Sequence, residues 1–188
     1  MLSDEELMIA ATQGDMKAFE QIVLRHQASV WRVACRFLRD IEEARDITQS
    51  VFLKLFESAP RYRKTATFKT FLFRIVNNTC IDHYRKKRPF HLSDPPDVPD
   101  ESPLPSEGLL AREREKAVRR ALQDLPNRQH SAVILRYEAE LSVREIAEVV
   151  HSSEKAVERL LAHAREALHS VLDKNMPHSG GFDHHVRL

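Results

Sequence analysis

The chain has 188 residues, with 29 Lys and Arg, 28 Asp and Glu, 4 Gly and 2 Cys, and a formal net charge of +1. Two cysteines argue against a disulfide-stapled scaffold, and the first residues lack the apolar segment of a secretory signal. No apolar run approaches the roughly 18 residues of a membrane span. We therefore expect a cytoplasmic protein with no membrane insertion of its own.

Four helices are predicted in the N-terminal half. Ser3 and Glu6 form a capping-box pattern for the first helix. Asp15, Asp40 and Thr67 stand where they can cap the second, third and fourth helices, and apolar residues then recur at three- and four-residue steps. The apolar face expected for the third helix comprises Ala44, Ile47, Val51, Phe52, Leu55 and Phe56.

Residues 61–88 hold nine basic side chains against one acid, a segregation of charge that indicates a polyanion site. Aromatic residues are interleaved with these cations, a combination suited to single-stranded or melted DNA. Tyr62 lies in a predicted loop, where no core is expected to claim it. Asn78 on the fourth helix could read a base edge, or make an ordinary hydrogen bond on the helix surface or inside the bundle.

A linker is predicted at residues 89–107, which hold six of the nine prolines, five acids and no Lys or Arg. It separates an N-terminal domain, residues 1–88, from a C-terminal domain, residues 108–173, which a tail at 174–188 follows. We predict an all-α protein with two small helical domains on a flexible acidic tether.

The C-terminal domain is predicted to contain helices near residues 109–123, 127–138, 142–150 and 153–172. The last two are separated by a short turn and form a helix-turn-helix pattern, opened by a second capping box at Ser142 and Glu145. An antiparallel helical hairpin is the alternative interpretation. In the helix-turn-helix, the second helix enters the major groove. Its outward residues are Glu154, Lys155, Glu158, Arg159, Ala162 and His163.

Several sequence motifs occur in order on both sides of the linker. They lie at residues 14–19 (GDMKAF), 44–52 (ARDITQSVF), 67–75 (TFKTFLFRI), 78–79, 82–85, 125–126 and 135–136, and end in the helix-turn-helix. In these motifs the chain resembles bacterial RNA polymerase sigma factors of the extracytoplasmic-function (ECF) group. Five positions differ from the usual family residue. Ser50 replaces an acid, Phe71 a Trp and His151 a turn glycine, and Glu158 and Ala162 stand where basic and bulkier residues are often found.

The resemblance implies two DNA-reading regions and one polymerase-binding surface. Residues implied to bind the β′ clamp helices of core RNA polymerase are Asp46, Gln49 and Phe52. Residues implied to bind the −10 promoter element are Tyr62, Arg63, Lys64, Lys69, Phe71, Asn78, Arg85, Lys86, Lys87 and Arg88. Residues implied to bind the −35 element are Ser142, Arg144, Ser153, Lys155, Glu158, Arg159, Ala162 and His163. Further implied partners are the β flap of the polymerase and an anti-sigma factor.

Two other functions are alternatives to this one. A stand-alone helix-turn-helix regulator would bind operator DNA without polymerase. A helical enzyme would have to use the carboxylates of Glu42, Glu43 and Asp46, but these lack the Glu-x-x-His pattern of a di-iron bundle. Cys35 and Cys80 lack metal-ligand spacing and are interpreted as small buried hydrophobes. We therefore expect no catalytic residues, no metal and no cofactor.

Overall fold

The structure is a computed structural model. It describes residues 2–38, 40–62, 67–87, 120–122 and 124–174, without the side chains of Arg61, Lys87 and residues 171–174. Over these ranges it is helical and contains no strand, which confirms the all-α prediction. The helices are α1 Asp4–Thr12, α2 Met16–Leu38, α3 Ile41–Ser58, the 3-10 turn Ala59–Arg61, α4 Phe68–Lys87, α5 Asn127–Tyr137, α6 Val143–Val149 and α7 Glu154–Lys174.

The helices begin at the predicted capping residues. Ser3 forms the complete capping box of α1, with Ser3 N donating to Glu6 Oε2 at 2.7 Å. Asp15 Oδ1 accepts from the amide of Lys17 at 2.9 Å, and Asp40 Oδ1 accepts from that of Glu43 at 3.0 Å. These side chains satisfy amide donors that have no partner inside the helix. Of the helix predicted near 109–123, only residues 120–122 are described, and they are helical.

The first turn of α4 is held by a residue distant in sequence. Phe68 N donates to Glu5 Oε1 on α1 at 2.9 Å, while Thr67 Oγ1 accepts from Thr70 N at 3.2 Å. The Phe68 ring is fully buried and lies 5.3 Å from the His26 ring, measured between centroids. The start of α4 is therefore fixed by α1 and α2, which sets where the loop before it ends.

The helices α5, α6 and α7 form a second packed unit. Leu135, Leu141, Ile146 and Val157 are fully buried in it. This unit contacts the first one, because α6 packs on α4 and α5 packs on α2. The predicted domain boundaries at 88 and 108, the linker 89–107 and most of the tail lie outside the described residues.

Candidate polymerase and DNA interfaces

The outward face of α3 carries two of the three residues predicted to bind polymerase. Asp46 and Gln49 are exposed. The prediction that Phe52 shares their surface is wrong, because this side chain is 8% exposed and belongs to the hydrophobic core. The reason is helical geometry: at 100° per residue, Phe52 lies about 120° around the helix axis from Asp46.

The same face of α3 continues into apolar residues that the sequence analysis missed. Leu53, seven residues after Asp46, is 60% exposed. Phe56 was predicted to point inward, which is wrong: it is 42% exposed, and its ring meets that of Phe19 edge-on at 5.2 Å. The spacing of seven residues from Asp46 to Leu53 could have identified this surface, because such residues lie one above the other on a helix. The face combines polar and apolar contact groups, as protein interfaces do.

Tyr62 lies in a loop, as predicted, but its ring is part of the core. It is 7% exposed, and its ring centroid lies 5.1 Å from that of Phe71 and 6.4 Å from that of Phe68. The expectation that no core claims Tyr62 is therefore wrong. The reason is that the 3-10 turn at the end of α3 brings this residue back over the first turn of α4. Burial also raises the pKa of the Tyr62 hydroxyl, with a smaller contribution from Glu5.

Of the predicted −10 residues on α4, three share one side of the helix, whereas Lys69 lies about 160° around the axis from Phe71. Phe71, Asn78 and Arg85 are separated by seven residues each and therefore lie along one stripe. Phe71 is half-buried, whereas Asn78, Arg85 and Lys86 are exposed, and Lys69 is half-buried. Arg63, Lys64, Arg88 and the side chain of Lys87 lie outside the described residues.

The buried amide of α4 is that of Asn77, whereas its neighbour Asn78 is exposed. Asn77 is 3% exposed, and its Oδ1 accepts from the hydroxyl of Ser131 on α5, itself 2% exposed. The sequence offers two adjacent asparagines, and only the packing of α5 decides which of them points inward. This bond joins the two packed units.

The helix-turn-helix is formed as predicted by α6, a short turn and α7. In the turn, Ser152 N donates to Ala147 O at 2.9 Å, a helix-ending bond that needs a left-handed residue. That residue is His151, with φ of 51°. It occupies the place of the family's turn glycine, and its positive φ is the physical reason why glycine is common there.

The hydroxyls of Ser142 and Ser153 make capping contacts. Ser142 Oγ accepts from Glu145 N at 3.2 Å and donates to Glu145 Oε2 at 2.8 Å, and Ser153 Oγ accepts from Ala156 N at 3.3 Å. Burial raises the pKa of Glu145, but the bonds from Ser142 and the nearby Lys69 and Thr67 outweigh it, so the pKa is lowered overall. Both serines are exposed and set the starts of the two helices.

The outward face of α7 forms one continuous surface. Lys155, Glu158, Arg159 and Ala162 line a single depression. His163 is exposed beside it, and Arg144 on α6 is 79% exposed, with its Nε 3.6 Å from Glu148 Oε1. Two cationic donors and one carboxylate acceptor are the groups that contact phosphates and base edges in the major groove.

The cysteines are packed as small hydrophobes. Cys80 is fully buried, and burial raises the pKa of its thiol to about 12. Cys35 is half-buried, and burial raises its thiol pKa as well, despite the opposing charge of Arg36. Among the described residues, no three His, Cys, Asp or Glu side chains are arranged to hold a metal ion. The described helices also include none with the length and apolar content needed to cross a bilayer.

The two packed units match two described families. Residues 22–90 match Sigma-70 region 2, and residues 115–168 match Sigma-70, region 4. The chain is 31% identical over 182 residues to the RNA polymerase sigma-H factor of Pseudomonas aeruginosa, with 90% of this chain and 93% of that protein covered. It is 33% identical over 171 residues to the ECF RNA polymerase sigma factor SigM of Mycobacterium tuberculosis, with 90% and 85% covered.

A solved structure shares the arrangement of the helices. CnrH, in complex with the cytosolic domain of CnrY, is 26% identical to this chain, with a TM-score of 0.72 over 92% of this chain and 99% of CnrH. The family and relative matches together place this chain, with its helix-turn-helix and its second helical unit, among transcription initiation factors.

The chain belongs to the sigma-70 family, in its ECF group, and is a sigma factor that directs RNA polymerase to promoters. Proteins of this family are initiation factors without enzymatic activity, which confirms the prediction that the chain is not an enzyme.

Proposed function

We propose that this sigma factor binds core RNA polymerase through α3, contacts the −10 element through α4 and the loop before it, and reads the −35 element through α7. The observation that carries this proposal is the presence, on one chain, of three separate exposed surfaces of suitable chemistry. They are the face of α3, the α4 stripe of Phe71, Asn78 and Arg85, and the depression on α7.

The polymerase-binding surface is proposed to center on Asp46 and Gln49, extended by Leu53 and Phe56. A carboxylate and an amide beside two exposed apolar side chains suit the helix-on-helix contact with the β′ clamp helices. Phe52 supports this surface from the core and does not contact the partner directly.

The −10 surface is proposed to include Lys69, Phe71, Asn78, Arg85 and Lys86, together with Arg63, Lys64, Lys87 and Arg88. The cations neutralise phosphates, and the half-buried ring of Phe71 offers a face to an unstacked base. The Tyr62 ring packs against Phe71, which buries most of its surface. We therefore propose that a flipped base contacts only the accessible edge of this ring. Trapping a base offsets part of the cost, a few kcal/mol, of extruding it.

The −35 surface is proposed to include Lys155, Glu158, Arg159, Ala162 and His163 on α7. Ser142, Arg144 and Ser153 are proposed to meet phosphates from the two helix starts, where backbone amides also point outward. The domains 1–88 and 108–173 are proposed to be tethered by the acidic linker 89–107, so that binding of one element makes the second contact effectively intramolecular.

The family setting suggests where the protein acts and what controls it. We propose a cytoplasmic location, because core polymerase and promoter DNA are there. We also propose regulation by an anti-sigma factor, the kind of partner that is bound to the sigma factor RpoE of Bartonella quintana, as NepR, in a solved structure of similar fold. The β flap of the polymerase is proposed as the contact of the C-terminal domain.

A promoter-selection assay tests the three assignments together. Core polymerase with the purified chain would transcribe a template library randomised at both promoter elements, and the transcripts would be sequenced. We expect one −35 and one −10 sequence to be enriched. Arg159→Ala should relax selection at one −35 position, at a cost of about 1–3 kcal/mol, and leave −10 selection intact.

Arg165→Ala is the matched control, because Arg165 is exposed on α7 but lies about 120° further around the helix than Arg159. Equal effects of Arg159→Ala and Arg165→Ala would contradict the assignment of the α7 depression. No enrichment of any sequence with the wild-type chain would contradict the proposed promoter reading as a whole.

A further inference from the structure

The first helix, α1, contacts the chain on both sides of the loop that precedes α4. It packs on the 3-10 turn Ala59–Arg61, which leads into Tyr62, and on α4, which begins at Phe68. None of the residues implied to bind polymerase or DNA lies on α1. The match to Sigma-70 region 2 begins at residue 22 and therefore does not include this helix. The proposed function gives α1 no role.

One contact runs from α1 to the backbone of α4. Glu5 Oε1 accepts from Phe68 N at 2.9 Å, across 63 residues of sequence. Burial raises the pKa of the Tyr62 hydroxyl, and the negative charge of Glu5 adds to this effect, which places the Glu5 carboxylate near Tyr62 as well. A single half-buried acid on α1 therefore holds the residue that begins α4 and lies near the residue that follows the 3-10 turn.

A second contact runs from α1 through α2 to the side chain of the same residue. Asp4 Oδ2 lies 2.8 Å from His26 Nε2, and Asp4 Oδ1 accepts from Arg25 Nη1 at 2.8 Å. The His26 ring lies 5.3 Å from the Phe68 ring, measured between centroids, and its side chain is 15% exposed. Because Asp4 holds one edge of the ring and Phe68 packs against it, His26 has little freedom to change its rotamer.

The two contacts meet at Phe68, which lies beside the aromatic surface proposed for an unstacked base. The Phe68 ring centroid is 6.4 Å from that of Tyr62, which is itself 5.1 Å from that of Phe71. Phe68 is fully buried, whereas Phe71 is half-buried and keeps part of its ring accessible. In a close-packed interior, a displaced aromatic ring displaces its neighbours. The positions of Tyr62 and Phe71 therefore depend on where Phe68 is held.

We propose that α1 and His26 position the aromatic surface that receives a base of the −10 element. Asp4, Glu5 and His26 are positioning residues, which act through Phe68 and do not touch DNA. The inference rests on the proposed role of Tyr62 and Phe71 in base capture. A site that is already ordered binds its ligand without a further loss of conformational entropy, so a fixed Phe68 favours the captured base. Extruding a base from the stack is costly, and strand opening should therefore respond to this order.

The test uses the full chain with core RNA polymerase and separates duplex binding from base capture. One probe is a promoter duplex with the −35 and −10 sequences that the promoter-selection assay enriches. In this probe, 2-aminopurine replaces each base of the −10 non-template strand in turn, because its fluorescence rises when it leaves the stack. The other probe is a duplex that carries the −35 sequence alone, which reports binding without base extrusion.

Substitutions at Glu5 test the contact to the backbone of α4. Glu5→Ala should lower the equilibrium constant for base extrusion about three- to tenfold, as expected for the loss of one helix cap. Glu5→Gln keeps an acceptor for Phe68 N and should recover most of the wild-type fluorescence. Glu20→Ala, which removes an exposed acid from α2, is the control for the change in charge. Binding of the −35 duplex should be the same in all of these proteins.

His26→Gln tests the contact to the side chain. Glutamine keeps an amide donor for Asp4 but has no ring to pack on Phe68, so base extrusion should fall although the bond to Asp4 is retained. Val33→Ala removes buried methyl groups about 10 Å further along α2 and is the control for a loss of stability that does not involve Phe68. All measurements are made well below the Tm of each protein, so that every variant is folded.

Three results would overturn the proposal: equal base extrusion in Glu5→Ala and Glu20→Ala, an equal fall in His26→Gln and Val33→Ala, or a loss of −35 duplex binding as large as the loss of extrusion. The wild type distinguishes this failure from that of the proposed function. If the wild type selects a promoter and extrudes a base, and the variants do so equally well, only the positioning role is wrong. If the wild type selects no promoter or extrudes no base, the proposed function fails, and this inference fails with it.

Discussion

The cap that α1 provides for α4 can be tested by one substitution at Glu5. Glu5 Oε1 accepts from Phe68 N at 2.9 Å. Phe68 N is the first amide of α4, so it has no acceptor inside α4 itself. Glu5→Ala removes the acceptor. Loss of a helix cap costs about 0.5–2 kcal/mol, and for a chain of this size about 1 kcal/mol corresponds to a drop in Tm of about 2–4 °C.

Glu5→Gln is the matched variant. It keeps an oxygen that can accept from Phe68 N and loses only the negative charge near two helix starts, which is worth about 0.3–1 kcal/mol at each exposed site. Thermal unfolding should therefore rank the proteins as wild type, then Glu5→Gln, then Glu5→Ala.

Amide hydrogen exchange at Phe68 gives the local readout. Protection of this amide should fall in Glu5→Ala and be largely retained in Glu5→Gln, because only the former lacks the acceptor. If Phe68 is equally protected in wild type and Glu5→Ala, Glu5 is not the cap of α4. An equal fall in Tm in the two variants would also contradict this role of Glu5.

Three further predictions concern single residues. His151→Gly should raise the unfolding free energy by about 1 kcal/mol, since it relieves a left-handed backbone; a lowered urea midpoint would contradict this. For Asp4, burial raises the pKa but bonds from Arg25 and His26 lower it overall. Its contribution to stability is therefore present above about pH 4 and lost as the pH falls through the lowered value, so Asp4→Asn should destabilise the protein at pH 7 and make little difference near pH 2 in urea unfolding. Cys80, with a thiol pKa of about 12, should react with a thiol reagent far more slowly than Cys35 at pH 8; equal rates would contradict its burial.

Periodicity and caps were sufficient to predict the helices. Ser3, Asp40 and Ser142 carry local signals for a helix start, because each side chain accepts from the amide three residues later in the same segment. The helix-turn-helix was predictable for the same reason. The left-handed residue in the turn was also predictable, because His151 stands where the family commonly has glycine.

The errors arise where packing between segments decides. Phe52 and Phe56 both looked apolar and inward, yet one is in the core and the other is exposed against Phe19. Tyr62 looked free in its loop because its packing partner, Phe71, lies on the other side of residues 63–66. The contact depends on how the fold brings these two segments together. The bond between Asn77 and Ser131 spans the two units, and no local pattern in the sequence encodes such a pairing.

This sigma factor is proposed to join core RNA polymerase through the outward face of α3. The most direct measurement is co-elution with bacterial core polymerase on a sizing column, titrated to give an affinity. Wild type would be compared with Asp46→Ala/Gln49→Ala and with Gln27→Ala/Glu166→Ala, a control that removes one amide and one acid from exposed positions on α2 and α7. We predict a stable wild-type complex, weakened about tenfold or more only in the α3 variant. A folded wild-type chain that forms no complex, or equal weakening in both variants, would contradict the account.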